Sequence, residues 1–143
     1  MSRRAARQAA LQVLFQMDIG QTKFDNALDF VVIENKLDQK QVQFIRDTIS
    51  GVLEHMDALN RIINEIALDW DMERMAGVDR SILRMALYEL CYSEVPPNVA
   101  VNEAIELGKT FSTAESGKFI NGILGRVVKN LDDYRRVTSN SGL

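Results

Sequence analysis

The groups in this chain best suited to binding chemistry are three arginines near its start. Arg3, Arg4 and Arg7 lie within residues 1–17, which hold no acid, whereas the 143 residues together carry a formal net charge of −3. A guanidinium stays charged, grips phosphate through parallel N–H donors and stacks on unpaired bases. A small basic head on an acidic body could therefore direct an anionic ligand to one end. The same arginines read equally as a solvated helix end. Elsewhere, chemistry-bearing residues are sparse. His55 is the only histidine and follows Glu54 directly, so the paired Glu-x-x-His ligands of a di-iron bundle are missing. Cys91, the only cysteine, sits at the edge of an apolar stripe and reads as a small packing residue in a reducing compartment. Neither a P-loop nor a dinucleotide-binding glycine motif occurs, and Gly122 and Gly125 read as sites of close helix packing. No catalytic residue, metal or cofactor is expected.

A second candidate surface follows Ser112. Glu115 and Lys118 project opposite the apolar stripe there, and Phe119 lies about 110° from the stripe's centre by the helical step. An aromatic beside a lysine, off the core face, could stack on an unpaired base while the ammonium meets phosphate. It reads equally as a ring tucked against neighbouring helices. Arg84 and Tyr88 point away from Leu83, Ala86, Leu87 and Leu90, as members of a polar face.

These groups must be positioned by helices. Stripes at three-and-four spacing recur through Ala6, Ala9, Ala10, Val13, Leu14 and Met17, with Arg3, Arg7, Leu11 and Phe15 on a neighbouring edge. A second helix carries Phe24, Ala27, Leu28, Val31 and Val32. Asp38 and Gln41 have the form of a capping box before a periodic run from Val42 to Ile66. As one helix that run would span about 45 Å, so a break is expected near Glu54 to Asp57. Further stripes run through Ile82 to Leu90, Val101 to Phe111 and Ile120 to Leu131. Pro96-Pro97 interrupts them, Asn98 is a ready N-cap, and Ser112 with Glu115 resembles another capping box. Trp70 reads as an anchor beneath the connection from Leu68 to Gly77. After Leu131 periodicity fades. No strand alternation competes, so the fold class is all-α, about seven helices in two packed small helical bundles. A single domain is expected over residues 1–134, with bundles at about 1–53 and 56–134 and a mobile tail at 135–143.

The segments ILRMALYEL, VPPNVAVNEAIELGKTF and KFINGIL resemble the C-terminal half of the NusB family, bacterial transcription antitermination factors. The opening RRAARQAALQVLFQMD resembles that family's N-terminal helix. The resemblance implies binding of the single-stranded boxA element of nascent ribosomal RNA together with NusE, a ribosomal small-subunit protein, in an RNA polymerase antitermination complex. It implies RNA-binding roles for Arg3, Arg4, Arg7, Arg84, Glu115, Lys118 and Phe119, and partner-binding roles for Phe15 and Asp79. Asp79 also suits a helix's first turn through the macrodipole alone. The basic run is broken by Ala5-Ala6, and position 115 is Glu.

Three phosphates neutralised on a single strand give a salt slope near −2, roughly a 20-fold loss between 50 and 200 mM salt. So small a patch suits an RNA path shared with a second protein. A cytoplasmic location is expected, since no apolar run approaches the roughly 20 residues of a membrane span. An acid-free, arginine-containing start also fits a transit peptide, but packing periodicity from Ala6 onward favours a structured helix. A helical protein-interaction module or homodimer remains the alternative. An RNA methyltransferase, in which a similar domain precedes the catalytic one, would need a methyl-donor fold for which the chain has no room.

Overall fold

The computed structural model describes residues 3–67 and 75–141, so Trp70 and most of its connection, residues 68–74, lie outside the described residues. Eight helices and no strand occur among them: α1 (Arg3–Asp18), α2 (Phe24–Asn35), α3 (Gln39–Glu54), α4 (Met56–Ile66), α5 (Gly77–Tyr92), α6 (Pro97–Phe111), α7 (Ala114–Lys129) and α8 (Leu131–Ser141). Helices α2 and α3 both pack on α1, and α5 joins them to the rest by touching α1, α3, α4, α6, α7 and α8. Ten of the 16 residues of α5 are buried, including Arg84 and Glu89, so this helix has no polar face in the usual sense. A helix enclosed on nearly all sides must satisfy its charges internally.

The buried stripe of α1 begins small, with Ala6, Ala9 and Ala10, and ends on Val13 and Leu14. Small side chains at the start let its neighbours approach closely. The turn after α1 takes its left-handed residue at Gln21 (φ 56°) rather than at Gly20. The capping box of α3 forms as its spacing suggests: the Gln41 N–H donates to Asp38 Oδ1 at 2.8 Å, and the Asp38 N–H donates to Gln41 Oε1 at 3.0 Å. The long periodic run breaks at His55, inside the expected interval, where the backbone leaves helical geometry (φ −107°, ψ 17°). The imidazole then stacks on Tyr92 of α5 with ring centroids 3.7 Å apart. In the last turn of α3, Gly51 admits a ring: a Cβ there would lie 2.1 Å from Tyr88 Cε1.

Several local expectations shift. Helix α6 begins at Pro97 with Pro96 as its cap, not at Asn98, because proline presets φ and lacks an N–H that the first turn leaves unpaired anyway. Helix α7 is capped by Thr113, whose hydroxyl accepts the Ser116 N–H at 3.0 Å, one residue after the expected Ser112. Ser112 instead closes α6, its N–H donating to the Gly108 carbonyl. Gly122 and Gly125 do not mediate close packing, since a Cβ at either would meet nothing within 4 Å. The close approach of α6 and α7 is at Gly108, where a Cβ would lie 2.8 Å from Ile120 Cδ1. From Leu131 to Ser141, which includes most of the tail expected at 135–143, the chain is helical. Polar anchors hold α8: Arg135 Nε donates to the Leu90 carbonyl at 3.0 Å, and Thr138 is 1% exposed, its hydroxyl returned to its own helix. Apolar periodicity does not register such anchors.

Candidate nucleic-acid interface

Arg7 donates to both carboxylate oxygens of Glu89, with Nη2 to Oε2 at 2.9 Å and Nε to each oxygen at 3.3 Å, and both side chains are 6% exposed. It is a buried tie between α1 and α5. One turn earlier, Arg4 remains 57% exposed while binding Glu103 of α6 through Nε and Nη2 at 3.2 and 3.1 Å. That hydrogen bond, reinforced by the carboxylate charge, pushes the Arg4 pKa further up. Arg3 lays its guanidinium over the Phe44 ring of α3, 4.6 Å from the centroid. The three arginines therefore meet three different helices, and two of them reach solvent.

Arg84 is not on an open polar face. Its Nε donates to Asn60 Oδ1 at 3.0 Å, and its Nη1 lies 3.5 Å from Asp18 Oδ2. Arg80 binds the same Asp18 oxygen at 2.7 Å. Asp18 ends α1, where the helix dipole disfavours an anion, so these two cations supply the compensation. Burial lowers the Arg84 pKa, opposed by Asp18 and assisted by Arg80.

The second surface is a pocket of about 370 Å³ between the first turns of α5 and α7, lined by Met75, Ala76, Asp79, Glu115, Ser116, Lys118 and Phe119. The structure thus brings Asp79, Glu115, Lys118 and Phe119 together. Lys118 and Glu115 form a loose exposed pair at 3.9 Å on the rim. Phe119 is half-buried in the wall. Asp79, 8% exposed, accepts the Ser116 hydroxyl at Oδ2 (3.0 Å), while its buried Oδ1 has no hydrogen-bond partner. Ser116 is itself placed by the Thr113 cap and lies 2.7 Å from the Ser112 hydroxyl. Phe15 stands beside the same helix start: a Cβ at Gly77 would lie 3.4 Å from its Cε2. Asp79 and Glu89 are about 15 Å apart along α5, so the pocket and the basic head occupy different stretches of that helix.

His55, stacked on Tyr92, and Cys91, whose thiol pKa burial pushes up to about 11, are both engaged in packing. No cluster of three or more His, Cys, Asp or Glu residues able to hold a metal occurs among the described residues. No helix among them is long and apolar enough to cross a membrane. Sequence reasoning missed Glu103, Phe44 and Glu89, the residues that fix the arginines. Only the pairing of helices distant in sequence identifies them.

Fold and surface define an all-α domain with a basic head and an aromatic-walled pocket. The family model that matches it is that of the NusB family, over residues 4–129. The chain is 43% identical over 141 residues to the transcription antitermination protein NusB of Desulforamulus reducens, covering 98% of this chain and 99% of that protein. It is 41% identical over 133 residues to the Bacillus subtilis protein of the same name, covering 92% and 98%. Among solved structures, T. maritima NusB superposes with a TM-score of 0.83 at 34% identity, over 90% of this chain and 92% of that one. A crystal structure of antitermination factors NusB and NusE in complex with dsRNA gives 0.81 at 24% identity, over 90% and 96%, a likeness of fold. The chain belongs to the NusB family of transcription antitermination proteins.

Proposed function

We propose that this chain binds the boxA element of nascent ribosomal RNA together with NusE, within an RNA polymerase antitermination complex in the cytoplasm, and acts by binding without catalysis. The observation that carries the reading is the exposed pair Arg3 and Arg4, held at the meeting of α1, α3 and α6 on a chain of net charge −3. The solved NusB–NusE complex with dsRNA, a relative in fold, supports the choice of partners. Residues 1–134 work as one unit in this reading, because α5 packs against both helix groups. The pocket of Phe119, Lys118 and Glu115 takes unpaired bases, and Phe15 with the first turn of α5 faces NusE. Arg7 and Arg84 serve this surface from below by holding α1 against α5 and α4.

The test is fluorescence anisotropy of a labelled boxA-type RNA against a scrambled one, with and without NusE. Wild type should bind selectively and more tightly with NusE. Arg3/Arg4→Ala and Phe119→Ala should weaken RNA binding, the aromatic change by about 5- to 150-fold, the worth of one base stack. Asp79→Lys should reduce NusE binding. Equal, weak binding of both RNAs in every condition would sink the proposal. Loss of NusE binding in Asp79→Lys without any effect of the arginine changes would instead support a protein-interaction module or homodimer.

A further inference from the structure

We infer that Glu103 of α6 and Phe44 of α3 are positioning residues for RNA, holding Arg4 and Arg3 in a binding-ready orientation; this rests on the reading of the basic head as an RNA contact. The Arg4–Glu103 pair is bidentate and side-on, using Nε at 3.2 Å and Nη2 at 3.1 Å. A side-on pair leaves the end of the guanidinium, with its remaining N–H groups, free to form a second bidentate contact. The burial of the two partners sets the direction. Glu103 is 17% exposed and Arg4 57%, so the carboxylate is the more fixed partner and the arginine is the one that reaches solvent. Arg3 is held differently, with one face of its guanidinium on Phe44 at 4.6 Å. The opposite face stays available to a base and its edges to phosphate. The same ring lies 5.5 Å from the buried Arg7 guanidinium, which ties it to the α1–α5 seam.

Simple electrostatics predicts the opposite effect for Glu103. Across water, at a dielectric constant of about 80, a carboxylate about 7 Å from a phosphate bound at the solvent-exposed Arg4 repels it, and removing that charge should tighten binding about 1.5-fold at 0.15 M salt. Losing the restraint on Arg4 weakens binding by about two- to twelvefold, the cost of ordering one rotamer-rich side chain on association. Restraint outweighs repulsion over most of this range.

The experiment measures single-stranded boxA-type RNA affinity of the full chain at 0.15 M salt for Glu103→Gln, Arg4→Ala and the double variant, with circular dichroism confirming the fold. Glu103→Gln should bind about three- to fivefold more weakly. In the Arg4→Ala background the same change should have no weakening effect, because the side chain it positions is gone. Phe44→Leu should behave likewise against Arg3→Ala, with Phe44→Tyr restoring affinity. Unchanged or tighter binding by Glu103→Gln, or equal weakening with and without Arg4, would overturn the inference while leaving the RNA reading intact. No effect of Arg4→Ala, or no RNA binding by wild type, would overturn both.

Discussion

Removing either member of the Arg7–Glu89 pair should cost far more stability than an ion pair usually does. Both side chains are 6% exposed, and three N–H···O contacts join them. Arg7→Ala leaves a carboxylate buried beneath α1 with no cation, and Glu89→Ala leaves a guanidinium in the same position. Breaking one side of such a pair costs about 3–5 kcal/mol, against about 0–1 kcal/mol for an exposed pair. A domain of ordinary stability has about 5–15 kcal/mol in total, so the single change removes a large fraction of it. The double replacement Arg7→Met with Glu89→Leu should be neutral or stabilising by about 1–4 kcal/mol, because no charge remains to be desolvated. Urea unfolding followed by far-ultraviolet circular dichroism, at unchanged m-value, gives all three numbers. Single variants that lose less than about 1 kcal/mol, or a double variant that loses the sum of both, would refute the argument. A loss of RNA binding in any variant lacking Arg7 must therefore be read beside its folded fraction, whereas Arg3/Arg4→Ala leaves the seam intact.

Three further outcomes follow from the geometry. Gly51→Ala should destabilise by about 1–3 kcal/mol in the same unfolding assay, since its Cβ would fall 2.1 Å from Tyr88 Cε1. Gly122→Ala, with nothing within 4 Å of its Cβ, should gain about 0.5–1 kcal/mol; equal effects at the two sites would contradict the packing. In RNA titrations between 50 and 200 mM salt, Arg3/Arg4→Ala should flatten the slope of log K against log salt by about 1.4, the value for two phosphates on a single strand. A change near 2 for those two substitutions would mean that a third cation leaves with them. Cys91, held protonated to about pH 11 by burial, should react with iodoacetamide at pH 8 about 100-fold more slowly than a thiol of ordinary pKa. Because the folded pKa lies above the unfolded one, its stabilising contribution is complete below about pH 9 and is lost as pH rises toward about 11. Fast alkylation of the folded protein, or stability indifferent to pH across that window, would contradict it.

Apolar periodicity was enough to find the helices because each buries one stripe, and the stripe is local information. The break at His55 and the Asp38–Gln41 box lay within reach for the same reason. The cap of α6 moved by two residues and that of α7 by one because a neighbouring residue, Pro96 for Asn98 and Thr113 for Ser112, can open the helix instead, and spacing alone does not rank them. Helix α8 escaped notice since it is tied to α5 by hydrogen bonds, Arg135 donating to the Leu90 carbonyl and the Tyr92 hydroxyl to the Thr138 carbonyl, rather than by a long apolar stripe. The position of an arginine on its own helix is legible in the same local way, but its role is not. Arg3 and Arg7 share one edge of α1 at four-residue spacing, the pattern that invites a common assignment. Both reach the Phe44 ring on α3, and what separates them is Glu89 on α5, 82 positions from Arg7 in sequence, which binds Arg7 alone.

That separation bears on how the site works. An arginine that is both anchor and ligand would have to leave Glu89 to reach a phosphate, exposing a buried carboxylate at a cost of several kcal/mol. One phosphate contact at an exposed position returns less than this, about the 0–1 kcal/mol of a surface ion pair. The stable division is the one observed: Arg7 stays paired and fixes where α1 meets α5, and Arg3 and Arg4, one turn outward, remain open to solvent at known orientations. The short, broken basic run is thus a consequence of the packing. Ala5 and Ala6 lie in the first turn of α1, with Ala6 fully buried, and a cation at position 6 would have no route to water.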